Sequence, residues 1–240
     1  MLITRINVLI EALTGDTCLG RVLISDRKRG REIDRIKELC RGRAIPYQFV
    51  PQRTIDRKVE GPNQGVFAEI MPVSCHDLSW LLENLGNGLV LVLDGIEDAG
   101  NLGALMRSAA AAGVDGVIFC DRGNAPINDT TMITSAGALA RVNLVRSANL
   151  ARDMDFLKTR GFWIAVSVAH GGQAPWSCDL RGKVALVMGN ESRGVSRLLQ
   201  KKADFRLSIP LAGGVESLNV AAAAAVILFE ARRQRSETSG

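Results

Sequence analysis

The chain predicts an α/β protein with a parallel sheet, divided into a small first domain and a larger second one. Three observations carry this. Short apolar runs alternate with longer amphipathic or alanine-rich segments, the pattern of strands separated by helices. Beyond Leu89 the strand candidates are apolar at nearly every position, as befits strands covered by helices on both faces. The 240 residues are 47% hydrophobic and 23% charged, which excludes a disordered or fibrous chain and leaves enough apolar material for two cores.

In order, NVLIEAL (7–13) reads as a helix and RVLIS (21–25) as a strand. GREIDRIKELCRG (30–42) is an amphipathic helix with Ile33, Ile36, Leu39 and Cys40 on one face and charges on the other. PYQFV (46–50) is a strand, RTIDRKV (53–59) a helix and GVFAEI (65–70) a strand. These form a small α/β domain over residues 1–75. Residues 76–88 read as a linker carrying one short helix. The second domain, 89–240, contributes the strands LVLVLD, GVIFC, RVNLV, FWIAVSV, KVALVMG and FRLSIP, with helices between most of them and a final helix from about Leu218 to Arg235. The alanine run 221–225 reads as close helix packing.

The formal charge is +5. Residues 1–70 hold 13 Lys/Arg against 9 Asp/Glu, a net of +4, and the densest part is DRKRGREIDRIKELCRGR, Asp26 to Arg43. Such a patch suits a polyanion through phosphate neutralisation, and equally suits a solvated helix face. Five cysteines without a CxxC pair point to reduced thiols rather than a disulfide framework or a zinc site. The first residues lack the pattern of a secretory signal, and VAAAAAVILF is too short to cross a bilayer, so a cytoplasmic protein without a membrane segment is expected. The two histidines, His76 and His170, lie in no recognisable motif.

Ligands of open parallel sheets bind at the C-terminal ends of strands. Three such ends carry glycine-bearing loops that lead into helices: GIEDAGNLGALMR, NESRG and LAGGVESLNV. The glycine spacing of the first fails the dinucleotide fingerprint, and Asn-Leu stands where a P-loop needs Lys-Ser/Thr. Taken alone, Arg107 in NLGALMR is a charge snorkelling from an alanine-rich helix. Asn101 and Ser217 read as helix caps, and Glu191 as an acid at a helix start.

Together, NLGALMR (101–107), LVMGNESRG (186–194) and IPLAGGVESLNVAAA (209–223) resemble the three motifs of the SpoU (TrmH-type) branch of the SPOUT RNA methyltransferases. Domain order and length resemble the RlmB-type 23S rRNA guanosine 2′-O-methyltransferases. The sequence departs from that pattern at Ala99, Asn63 and Ala221. The resemblance implies an L30e-like RNA-binding front domain and a SPOUT domain with a deep trefoil knot. It implies S-adenosylmethionine as cofactor, no metal, and a homodimer formed by the C-terminal domain. The substrate it implies is rRNA, with tRNA or a non-catalytic role in ribosome assembly as the alternatives. By the same resemblance Arg107 is catalytic, with Asn101, Glu191, Ser217 and Asn219 around it. Met188, Gly189, Ile209, Leu211 and Leu218 would hold the cofactor, mostly through backbone groups.

Overall fold

The computed structural model describes residues 2–15, 19–59, 61–70, 73, 75–127 and 129–236. The chain divides into two compact units, Met1–His76 and Asp77–Gly240.

The first unit runs β1 (Leu2–Ile3), α1 (Ile6–Thr14), β2 (Val22–Ser25), α2 (Arg31–Gly42), β3 (Tyr47–Val50), α3 (Gln52–Asp56), β4 (Val66–Glu69) and β5 (Cys75–His76). The first four strands form a sheet in the order β1-β4-β2-β3. β2 and β3 are parallel, joined through α2, while β4 is antiparallel to β2 and β1. Residues alternate in direction along a strand. Val22 and Ile24 therefore pack with Leu9, Ile33 and Ile36 on one face, and Leu23 packs with Val50, Ile55 and Phe67 on the other. At the end of α1, Arg43 Nη1 donates to the carbonyls of Ala12 (3.0 Å) and Gly15 (2.7 Å), placing a cation at a helix C-terminus.

The second unit runs α4 (Leu78–Glu83), β6 (Leu89–Asp94), α5 (Ala99–Ala112), β7 (Gly116–Phe119), α6 (Asp129–Thr134), β8 (Leu144–Arg146), α7 (Leu150–Thr159), β9 (Trp163–Ser167), β10 (Val184–Gly189), α8 (Arg197–Lys202), β11 (Phe205–Leu207) and α9 (Val220–Ser236). Its six strands take the order β11-β9-β10-β6-β7-β8, all paired in parallel. Val90, Val92, Ile164, Val166, Ala185 and Val187 pack with Met154, Leu157 and Leu199 from α7 and α8. The alternate residues point to the opposite face. There Ala224, Leu228 and Ala231 are buried on α9, which packs against α5, as expected of the alanine run.

Within the segment 76–88 the expected short helix is α4, whose Leu81 is fully buried in the second core, with Leu78, Leu82 and Leu85 against it. Their spacing over two turns is the apolar stripe of a packed helix. The last helix starts at Val220 rather than Leu218, because its cap is Asn219. The five cysteines are not all reduced thiols. Cys75 is disulfide-bonded, and an odd count does not exclude a single bridge. Cys18 lies outside the described residues. Cys40, Cys120 and Cys178 are thiols outside any disulfide, and burial pushes the Cys120 and Cys178 thiols above their ordinary range. Among the described residues no helix is long and apolar enough to cross a membrane.

Gly103 sets how closely α5 approaches α6. A Cβ there would meet the Thr131 carbonyl oxygen and Thr134 Cβ, each at 2.7 Å. Replacing a mid-helix glycine by alanine ordinarily gains about 0.5–1 kcal/mol. Gly103→Ala should instead cost about 1–3 kcal/mol through overpacking and lower the melting midpoint by several degrees. Calorimetry checks this, and an unchanged or raised midpoint would show that α6 yields.

A candidate active site at the strand ends

The loop after β10 is organised by Asn190, which is only 8% exposed. Its Oδ1 accepts from the amides of Ser192 (2.9 Å) and Arg193 (3.1 Å), and its backbone exchanges two hydrogen bonds with Gly194. Its Nδ2 donates to the Gly95 carbonyl at 2.9 Å, tying this loop to the one after β6. A second tie is the Ser196 amide, which donates to Asp94 Oδ2 at 2.7 Å. Gly189 ends β10 where the loop folds back. A Cβ there would lie 2.1 Å from the Val195 nitrogen, so the chain's own backbone demands glycine at this position.

Asp98, not Asn101, caps α5: its Oδ1 accepts from the Asn101 amide at 2.7 Å. That frees the Asn101 side chain. Its Nδ2 donates to Glu191 Oε1 at 3.0 Å, and its Oδ1 accepts from Asn219 Nδ2 at 2.8 Å. Asn219 Oδ1 in turn accepts from the amides of Ala221 (2.9 Å) and Ala222 (3.3 Å). Asn219 is therefore the N-cap of α9, the role expected of Ser217. One chain of amide and carboxylate groups thus joins all three glycine-bearing loops.

Beside it, between the ends of β9, β10 and β11 and the first turn of α9, lies a pocket of about 390 Å³, within the range of small-molecule sites. Met188, Gly189, Ile209, Leu211 and Leu218 all line it, as do Glu191 and Ser217. Leu218 remains 39% exposed. Arg107 does not line the pocket. It is exposed, a turn and two-thirds beyond Asn101 on α5, and among the described residues it makes no hydrogen bond or ion pair. Glu191 thus holds the Asn101 side chain.

Four participants were missed in the sequence. Asn190 carries a recognisable signal, an Asn in a turn just after a strand, but the neighbouring Glu191 drew the reading. Glu216 and His170 also line the pocket, with no motif to mark His170. Arg193 lines the rim and pairs with Glu97 from the loop after β6, a partnership between positions 96 residues apart. Among the described residues no three His, Cys, Asp or Glu side chains are grouped to hold a metal ion.

Comparison with known proteins bears on this arrangement. The family model described as "SpoU rRNA Methylase family" matches residues 88–229, and the one described as "RNA 2'-O ribose methyltransferase substrate binding" matches residues 6–74. A member of the TrmH family of tRNA/rRNA methyltransferases from Staphylococcus aureus (strain MSSA476) is 36% identical over 231 residues, covering 95% of this chain and 93% of its own. The crystal structure of the SpoU methyltransferase AviRb from Streptomyces viridochromogenes, in complex with the cofactor AdoMet, is similar with a TM-score of 0.63 at 25% identity, covering 100% of this chain and 91% of that one. The TrmH/SpoU tRNA modifying enzyme of A. aeolicus is similar with a TM-score of 0.59 at 30% identity, covering 66% and 81%.

The two roles of Asn219 can be separated. Asn219→Ala removes both cap and link, and loss of a cap costs about 1 kcal/mol. Hydrogen exchange at the Ala221 and Ala222 amides should then accelerate roughly fivefold. Asn219→Ser keeps a cap oxygen but cannot donate to Asn101, so protection there should persist. Equal loss of protection in both variants would show that the link to Asn101, rather than the cap, holds the start of α9.

Proposed function

Since the chain belongs to the SpoU rRNA methylase family, we propose that it methylates the 2′-hydroxyl of a ribose in RNA, with S-adenosylmethionine as the methyl donor. The observation that carries this is the chain Asn219–Asn101–Glu191 joining three loops beside a pocket of small-molecule size.

The pocket suits the donor chemically. Ile209, Leu211, Leu218 and Met188 offer apolar walls for an adenine, and strand-end backbone groups can read its edge. Glu216 and Glu191 place acids on the same wall, favourable for a ligand that bears a sulfonium and an ammonium. Bound there, S-adenosylmethionine supplies a methyl group already activated by its sulfonium. The protein's tasks are then to hold the ribose in line and to let the hydroxyl proton leave.

Arg107 takes the first task. No group within the described chain competes for its guanidinium, which can grip ribose and phosphate oxygens with paired donors. A guanidinium does not lose its proton at ordinary pH, so Arg107 acts as a clamp, and the hydroxyl proton leaves by way of the gripped phosphate or the polarised arginine. Asn101, Glu191 and Asn219 keep the loops in register around it, and Ser217, exposed before α9, contacts substrate.

The RNA is assigned as rRNA, at a guanosine of 23S rRNA, with tRNA the alternative. Residues 1–75 act as an L30e-like substrate-binding domain and residues 89–240 as the SPOUT catalytic domain. The substrate-binding family model over 6–74 supports this, as does the similarity to the tRNA modifying enzyme, which extends over only 66% of this chain. The C-terminal segment is read as a deep trefoil knot. Support comes from its path through α8 to edge strand β11 and back to pack α9 against α5. A homodimer is read from Ala222, Val226, Phe229 and Arg233, one exposed and largely apolar stripe of α9. The protein would work in the cytoplasm.

Arg107→Lys keeps the charge and loses the two-pronged donor. Turnover on rRNA should fall by about two orders of magnitude or more, while S-adenosylmethionine affinity and the melting midpoint hold. Near-normal turnover would return Arg107 to a structural residue. In sedimentation, Phe229→Asp should shift a dimeric protein toward monomer, and an unchanged dimer would place the interface elsewhere.

A further inference from the structure

Within the first unit, α2 lies beside β3, the edge strand of its sheet. The helix connects two parallel strands, so it runs antiparallel to β3. Tyr47 and Phe49 share one face of β3. Their register partners Val22 and Ile24 belong to the cluster containing Ile33 and Ile36, so that face is the one turned toward α2. On the helix, Ile33, Lys37 and Arg41 succeed each other at intervals of four and form one row. A groove of about 410 Å³ runs here, lined by Arg29, Gly30, Ile33, Asp34, Lys37 and Phe49.

Phe49 is 39% exposed. The Arg29 guanidinium lies 5.7 Å from its ring, held in place by Nη1 bonds to the carbonyls of Asp26 (2.6 Å) and Lys28 (2.7 Å). Two residues back, Arg41 lies 5.9 Å from the Tyr47 ring. The two rings stand 6.4 Å apart at 82°, so they do not form one continuous stack, and Phe49, with Arg29 over part of it, is the more exposed ring. Residues 26–43 hold eight Lys/Arg against four Asp/Glu, and one of the acids, Asp34, is paired with Lys37.

We infer that this groove is a binding subsite for single-stranded RNA, in which one unpaired base stacks on Phe49 while Arg29, Lys37 and Arg41 follow the backbone. The inference rests on the reading of the protein as an RNA methyltransferase and adds where, and in what form, RNA is read. A cationic groove with an aromatic platform is the combination that holds single strands. Bases of a duplex are not available to stack. A protein partner fits less well, because the apolar surface here amounts to Phe49 and Ile33 among charged groups, far short of a stable interface.

The test uses the full-length protein and two fluorescent probes, a mixed-sequence single-stranded RNA and a blunt RNA duplex of equal length. The single strand should bind more tightly than the duplex. Phe49→Ala should weaken single-strand binding about tenfold with little change in duplex binding, Phe49→Trp should restore it, and Phe49→Leu should not. Arg29→Gln should flatten the dependence of log affinity on log salt by about 0.7, the increment of one phosphate on a single strand. Unchanged single-strand affinity in a folded Phe49→Ala protein, full rescue by leucine, or preference for the duplex would each overturn the inference. Because binding is read without turnover, a protein that stacks RNA on Phe49 yet transfers no methyl group would refute the proposed function alone. Methylation with binding indifferent to Phe49 would refute this inference alone.

Discussion

Two asparagines and one glutamate hold the candidate site together, and the order of their bonds explains why these residue types are needed. The α9 amides donate to the Asn219 carbonyl oxygen, its amide donates to the Asn101 carbonyl oxygen, and the Asn101 amide donates to the Glu191 carboxylate. A carboxamide can accept with one atom and donate with the other, so each asparagine passes polarity onward in one direction. The chain starts at the positive end of a helix and stops on a negative charge, the arrangement in which successive hydrogen bonds reinforce each other. Each bond contributes only about 1 kcal/mol, somewhat more at the carboxylate. Its value is that it joins positions 118 and 90 residues apart in a single register, which no local propensity could do.

A second set of ties joins side chains to main-chain groups. Asn190 and Asp94 link the loops following β10 and β6, neighbouring strands of the sheet. Gly189 and Gly103 permit backbone approaches that a methyl group would block. Packing and side-chain bonds to the main chain thus fix the loop that carries Gly189 and Asn190 into the pocket wall. The first unit divides its labour differently: its two small cores leave the β3 edge and the outer row of α2 to charge and one aromatic ring.

Much of this was legible in the sequence. Strand period and apolar content were enough for the parallel sheet, since strands such as LVLVLD and KVALVMG are buried on both faces. The three loops stood out because each follows a strand and carries glycine. The details that escaped are those decided by competition between nearby residues. Asp98 and Asn101 are both good caps, and only geometry selects Asp98. Ser217 and Asn219 pose the same choice. Leu78, Leu81, Leu82 and Leu85 are spaced for packing, yet Pro72, Gly86 and Gly88 around them suggested a connector. Long-range pairs such as Glu97 with Arg193 leave no local trace. The isolation of Arg107 could not be read either, because a sequence records a charge and not whether a partner lies within reach.

Residues 212–219 are exposed at every position, and Gly213 and Gly214 both adopt left-handed backbone conformations. Its Glu216, Ser217 and Leu218 line the rim of the pocket, while Asn190 on the floor is already tied to the loop after β6. A guest therefore meets two surfaces with different thermodynamic characters. Contact with the floor releases water and orders little that was not ordered before. Contact with the rim freezes backbone and side-chain rotations at about 1–2 kcal/mol per residue. Occupancy should thus carry a favourable enthalpy offset by an unfavourable entropy, with affinity falling steeply on warming. Stiffening the rim, rather than adding contacts to it, is then the direct route to tighter retention.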